Sequence, residues 1–257
     1  MGRDTVAVLF DVDDTLFDYG GAERDAIAAH LRDEGLAGAF PSAEAAAELW
    51  HAVMQRQYAR FLAGELTFPG QQAARAREFA AAAGRPLGDE AAAAAWFGRY
   101  HVHYRACWRA FPDAAPALAA LRGAGVRLGV VSNSSAAAQR PKLARLGLDG
   151  YLADGPLVCA GEFGAAKPDP SIFLAACAEL GLPPERVAYV GDRRDLDAEA
   201  AAAAGLTGVW LDRAGSGGDA GTGSGFDDDS DDGILTVTSL AELAGLLRAG
   251  PGDASRR

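Results

Sequence analysis

Two carboxylates spaced two residues apart at the end of an apolar run can share a cation, or divide nucleophilic and proton-transfer work. Asp11 and Asp13 stand in that relation, directly after Val6-Ala7-Val8-Leu9-Phe10 and just before Asp14 and Thr15. Three acids so close together repel one another unless a positive charge sits among them. Mg²⁺, an oxygen-seeking ion of octahedral habit, suits such a set, and Asp11 is then a candidate nucleophile. Three other polar groups also follow apolar runs or loops: Ser132 with Asn133, Lys167 before Pro168, and Asp192 with Asp197. Taken singly these are ordinary, because acid pairs, Ser-Asn turns and Lys-Pro steps are common. Their order and their shared position at the ends of elements carry the information.

The elements that must hold them are readable from periodicity. Val6–Phe10 has the continuous apolar texture of a strand buried on both faces. From about Glu23 to Trp108 the chain is Ala-rich, poor in β-branched residues and helical in pattern, with breakers at Pro41-Ser42, Phe68-Pro69-Gly70 and Gly84-Arg85-Pro86. About four helices are expected there and no strand. One apolar stripe should run through Leu49, Val53, Tyr58 and Phe61, and a cleaner one through Trp96, Tyr100, Tyr104 and Trp108.

Beyond Phe111 the texture changes. A helix over Ala114–Gly123 precedes a strand over Val126–Val131, and a helix over Ala136–Leu146 follows it. An irregular region holding Leu157-Val158-Cys159 comes next, then a helix over Ser171–Leu180 and a strand over Val187–Val190. A helix from about Leu196 to Ala204, a strand over Gly208–Leu211, a short edge strand over Ile234–Val237 and a closing helix over Leu240–Leu247 complete the pattern. Strands alternating with helices imply right-handed crossovers and a parallel sheet. Ligands in such open sheets bind at the carboxyl ends of the strands, which is where the polar groups fall.

With those residues in that order, the chain resembles the haloacid-dehalogenase-type (HAD) hydrolases, a superfamily dominated by Mg²⁺-dependent phosphatases. The resemblance rests on Asp11-Val12-Asp13-Asp14-Thr15, on Ser132, on Lys167, and on Gly191-Asp192-Arg193-Arg194-Asp195-Leu196-Asp197, which fits the family's GDxxxxD form. It implies a Rossmann-like doubly wound parallel sheet built from residues 1–17 and 109–257. Residues 18–108 would be an inserted α-helical cap closing over the sheet's carboxyl edge. It also implies that Asp11 attacks phosphorus and forms an aspartyl-phosphate, while Asp13 serves as general acid and then as general base. Mg²⁺ would be held by the Asp11 carboxylate, the Asp13 backbone carbonyl and Asp192. Ser132 and the Asn133 amide would hold phosphoryl oxygens, and Lys167 would neutralise charge on the phosphoryl group and Asp11. Asp197 would orient Lys167 or a metal-bound water, Thr15 would brace the loop, and Asp14 would be structural.

The implied substrate is a small phosphorylated metabolite. A phosphomutase would use the same catalytic set. A 2-haloacid dehalogenase would use the same aspartate, yet needs neither Mg²⁺ nor a second acid in the first motif. A phosphonate hydrolase is disfavoured because Asp13 is acidic, and a non-catalytic binding module would have no need to keep every motif residue.

Composition narrows the partners. The 257 residues are 49% apolar, enough for a real core, and the net charge is -11. Nucleic-acid and anionic-membrane binders need clustered Lys and Arg, so neither is expected as a partner; the oligomeric state is not readable. Cys107, Cys159 and Cys177 are odd in number and widely spaced, which argues against disulfides and zinc and for a reducing cytoplasm. No run approaches the ~20 apolar residues of a membrane span. His51, His101 and His103 are spaced wrongly for one metal-binding face, and Asp227–Asp232 lacks the spacing and closing Glu of a calcium loop. Residues 213–233 read as a flexible acidic loop, and the tail from Gly250 as frayed.

Overall fold

The computed structural model describes residues 5–215 and 233–248. Most of the acidic loop and the tail lie outside them. The chain divides into two compact units, one running to Asp18 and resuming at Ala110, the other spanning Tyr19–Arg109.

The first unit is the expected doubly wound, Rossmann-like sheet. Its strands are β1 (Ala7–Phe10), β2 (Arg127–Ser132), β3 (Leu157–Cys159), β4 (Val187–Gly191), β5 (Thr207–Leu211) and β6 (Leu235–Val237). All neighbouring pairs are parallel, in the order β3-β2-β1-β4-β5-β6. Four apolar residues make up β1, all fully buried, because a central strand is covered on both faces. Ala7 and Leu9 face a cluster with Ile172, Phe173, Val187 and Tyr189. The segment at Leu157–Cys159, expected to be irregular, is strand β3. It is only three residues long and lies at the sheet edge, too short to set up a periodic signal.

The helices of the second unit are α1 (Tyr19–Asp33), α2 (Ala43–Leu62), α3 (Phe68–Ala82) and α4 (Glu90–Ala106). Three begin at side-chain caps: Ser42 accepts from the Ala45 amide, Thr67 from Gly70 and Asp89 from Ala92. Their core gathers Ile27, Trp50, Phe79, Trp96, Phe97 and Tyr100. The buried stripe of α2 runs through Ala46, Trp50, Val53 and Gln57, not through Leu49, Tyr58 and Phe61, which are only partly covered. Trp50 takes the buried place expected of Leu49, and its indole donates to the Tyr100 hydroxyl at 3.0 Å inside the core. Arg75 is also inside, pairing with buried Glu23 and lying 4.7 Å from the Trp50 ring centroid.

In the sheet unit the helices are α5 (Ala114–Gly123), α6 (Ala136–Arg145), α7 (Asp149–Leu152), α8 (Ala160–Phe163), α9 (Pro170–Leu180), α10 (Ala200–Ala203) and α11 (Leu243–Arg248). The helix expected from Leu196 opens instead as a π-helix over Arg194–Glu199. Widened turns of this kind are frequent at functional sites.

Candidate active site

The sheet order reverses direction at β1, so the crevice between β1 and β4 is the place where such folds bind ligands. Phe10 pairs with Val190, and the Asp11 amide donates to the Val190 carbonyl at 2.9 Å. Asp11 and Asp192 therefore stand just beyond the last rungs of two adjacent strands. Ser132 ends β2 on the other side of β1.

Lys167 reaches in from the loop between α8 and α9. Its backbone is held by the Asn133 side chain, which accepts from the Lys167 amide at 2.7 Å and donates to its carbonyl at 3.0 Å. The buried ammonium then donates to Asp11 Oδ1 at 2.8 Å, Asp197 Oδ1 at 2.6 Å and the Tyr189 hydroxyl at 2.9 Å. Tyr189 in turn donates to the Val131 carbonyl at 2.9 Å. Asp197 is brought back by the π-helix, with Oδ2 accepting from the Arg193 amide at 3.0 Å. Gly191 must be glycine here, since a Cβ would lie 2.2 Å from Asp197 Oδ2.

Thr15 ties the first loop to the fourth strand. Its hydroxyl accepts from the Asp192 amide at 3.1 Å and lies 3.4 Å from Asp192 Oδ1. Trp210 holds the other side of that backbone, donating to the Asp192 carbonyl at 3.0 Å. Asp14 turns the loop with a left-handed φ of 58°, a conformation that Asp tolerates better than most residues.

Carboxylate oxygens of Asp11, Asp192 and Asp197 all come within 4.8 Å of one another. Burial raises the Asp11 carboxyl to about 8; Lys167 opposes the rise, and Asp197, Asp13 and Asp192 reinforce it. Burial, then Asp197 and Asp14, raise Asp192 to about 7. Lys167 is held well above the usual ammonium range by Asp11 and Asp197, against its own burial. Ionised together, the three carboxylates would carry more buried negative charge than Lys167 offsets, which is why Asp11 and Asp192 titrate high. Hard oxygen donors with surplus negative charge fit a divalent cation such as Mg²⁺.

The Asp13 carboxylate stands outside this cluster. It accepts from Lys142 Nζ at Oδ1 and from Gln139 Nε2 at Oδ2, the latter at 2.8 Å. Gln139 Nε2 also donates to Ser132 Oγ at 3.1 Å. The motifs did not reveal Gln139, Lys142, Tyr189 or Arg213. Arg213 grips Asp113 with both amino groups at 3.0 and 3.1 Å and donates to the Thr15 carbonyl at 2.9 Å. The only signals in the sequence were a Gln and a Lys three apart after the Ser132 turn, and a lone phenol in an apolar strand. His51 and His103 pair with Glu23 and Asp33, and no histidine joins a metal-ligating group among the described residues.

A family model described as haloacid dehalogenase-like hydrolase matches residues 5–205. The chain is 29% identical over 226 residues to a phosphoserine phosphatase of Thermus thermophilus, covering 80% of this chain and 88% of that one. It is 30% identical over 207 residues to a glyceraldehyde 3-phosphate phosphatase of Methanothermobacter thermautotrophicus, covering 80% and 84%. A glyceraldehyde 3-phosphate phosphatase of Methanopyrus kandleri is 40% identical, but over 114 residues, 44% of this chain and 48% of the relative. Among solved structures, the magnesium-bound HAD-hydrolase YfnB of Bacillus subtilis superposes with a TM-score of 0.73 at 20% identity, covering 95% and 99% of the two chains. The L-2-haloacid dehalogenase PA0810 superposes with a TM-score of 0.68 at 27% identity, covering 96% and 100%.

Proposed function

The chain belongs to the haloacid dehalogenase-like hydrolase family, and within it we propose a Mg²⁺-dependent phosphatase that hydrolyses a small phosphorylated metabolite in the cytoplasm. The observation that carries this reading is the buried Lys167–Asp11 pair beside Asp192, with Asp13 held separately. Two acids in different surroundings can take two roles. The phosphatases among the relatives support it.

Mg²⁺ would be held by the Asp11 carboxylate, the Asp13 backbone carbonyl and Asp192, and when bound it supplies charge neutralisation for the phosphoryl oxygens. Lys167 occupies Asp11 Oδ1, so attack on phosphorus is assigned to Oδ2. The new Asp11–phosphorus bond forms as the ester oxygen leaves, and that oxygen takes a proton from the Asp13 carboxyl. Asp13, now a carboxylate, removes a proton from water as the water oxygen attacks phosphorus. Inorganic phosphate departs and the Asp11 carboxylate is restored. Each proton transfer of this kind is worth ~10²–10⁴-fold. Ser132 and the Asn133 backbone amide hold the phosphoryl oxygens, while Lys167, bound to Asp11, neutralises the charge that builds there and on the phosphoryl group. Thr15 keeps the loop in place, and Asp197 keeps Lys167 directed at Asp11.

Phosphate release from a panel of phosphorylated metabolites tests the proposal. Activity should vanish with EDTA, return with Mg²⁺, and be lost in Asp11→Asn. A phosphorylated species in acid-quenched wild-type protein, missing in that variant, is the second readout. The dehalogenase neighbours favour one rival: halide release from a 2-haloacid in EDTA would overturn the phosphatase reading.

A further inference from the structure

We propose that Lys142 and Gln139 are positioning residues for Asp13, holding its carboxylate in a fixed relation to the Ser132 hydroxyl. The inference rests on the role given to Asp13 above. Both side chains come from α6, three residues apart, so they project from the same face. Both are buried although each is polar. Lys142 packs between the Asp13 carboxylate and the Phe17 ring, with Nζ 4.5 Å from the ring centroid. Gln139 Nε2 spans Asp13 Oδ2 at 2.8 Å and Ser132 Oγ at 3.1 Å.

The arrangement is poorly explained as a stabilising device. Gln139 Oε1 is buried with no hydrogen-bond partner. Turning the amide over would aim that oxygen at a carboxylate, so the present orientation accepts an unpaired acceptor in order to give both amide protons away. A buried lysine is likewise a weak source of stability, since desolvation offsets much of its attraction.

Geometric control accounts for both features. The two donors take one oxygen each and remove the carboxylate's freedom to rotate, while about a third of the Asp13 side chain (33%) stays exposed for a leaving group or a water. A proton donor must sit within hydrogen-bond reach of the reacting oxygen. The Gln139 bridge sets that reach relative to Ser132, which the proposed function assigns to the phosphoryl group.

The test compares kcat/KM for two esters, p-nitrophenyl phosphate and the alkyl phosphate turned over best by the wild type. The nitrophenolate departs without needing a proton, whereas the alkoxide needs one. This ratio reports only the steps up to transfer to Asp11. Lys142→Met should lower kcat/KM about 30-fold or more for the alkyl ester and less than about threefold for the aryl ester, part or all of the ~10²–10⁴-fold that proton transfer supplies. Lys142→Arg should recover most of the loss. Gln139→Ala should show the same split more weakly, and serves if Lys142→Met does not fold. Equal losses on both esters, or no loss, would overturn the inference. Asp13→Asn separates the two failures: no split in that variant defeats the role of Asp13 itself, while a split there but not in the α6 variants defeats the positioning role alone.

Discussion

Lys167 spends all three ammonium protons inside the protein, on Asp11, Asp197 and Tyr189. A lysine so fully engaged is directed rather than merely attracted. Replacing it with Met leaves two buried aspartates without their shared cation. Lys167→Met should therefore reduce phosphate release by about 10²–10³-fold, the usual cost of losing one group aimed at developing charge. It should also lower stability by about 3 kcal/mol, as breaking a buried pair does. Steady-state kinetics and urea unfolding check the two effects separately. The lysine was legible as a motif residue, but Tyr189 was not. In sequence it is one aromatic in a core strand, and only the approach of a loop from elsewhere gives its hydroxyl a purpose.

The π-helix at Arg194–Glu199 shows what an element contributes beyond its residues. At its start the Asp197 amide donates to the Arg193 carbonyl at 2.8 Å while Oδ2 takes the Arg193 amide, holding Asp197 back against β4. That close approach depends on glycine. At Gly208 of β5 a Cβ would meet the Ala198 carbonyl oxygen at 2.1 Å, and a backbone atom cannot step aside as a flexible side chain can. Gly208→Ala should destabilise by about 3 kcal/mol, near the upper end for overpacking, and should weaken activity by displacing the segment that carries Asp197. Thermal melting with kinetics on the surviving fold is the measurement; a variant as stable and active as wild type would contradict the packing argument. The helix was readable from its Ala-rich run, but its widened first turn was not, because no local propensity distinguishes it.

At the scale of the molecule, two units with separate cores should answer differently to acid. His30 lies in the core of the Tyr19–Arg109 unit, its ring edge-on to Trp96 with centroids 4.3 Å apart and neither nitrogen bonded. Burial pushes its pKa down to about 4; Glu34 opposes this and His103 and Arg99 add to it. Unfolded, the ring would take its proton near 6.5. The stability that comes from keeping it neutral is complete above pH 6.5 and is lost as the pH falls towards 4, up to about 3 kcal/mol. Urea unfolding at pH 7 and pH 5 should show that slope in the wild type and a smaller one in His30→Phe. The sheet unit should respond instead to metal. If Mg²⁺ binds the Asp11 and Asp192 carboxylates, saturation at 100 times Kd adds about 2.7 kcal/mol to it. Asp192→Asn should remove that gain, which calorimetry with and without EDTA would show.

The sequence by itself determined the alternation of strands and helices, the helical insert after Thr15, and the identity of the acids and lysine at the strand ends. These follow from periodicity and from residues adjacent in the chain, both of which are local. Only the tertiary structure decided which donors complete the site. Gln139 and Lys142 meet Asp13 across more than a hundred residues, Tyr189 finds Lys167 through a loop, and Arg213 reaches back to Thr15. A polar side chain on a helix face looks the same in sequence whether it meets water or a buried carboxylate. The packing of α6 against the first loop removes the water and leaves the carboxylate.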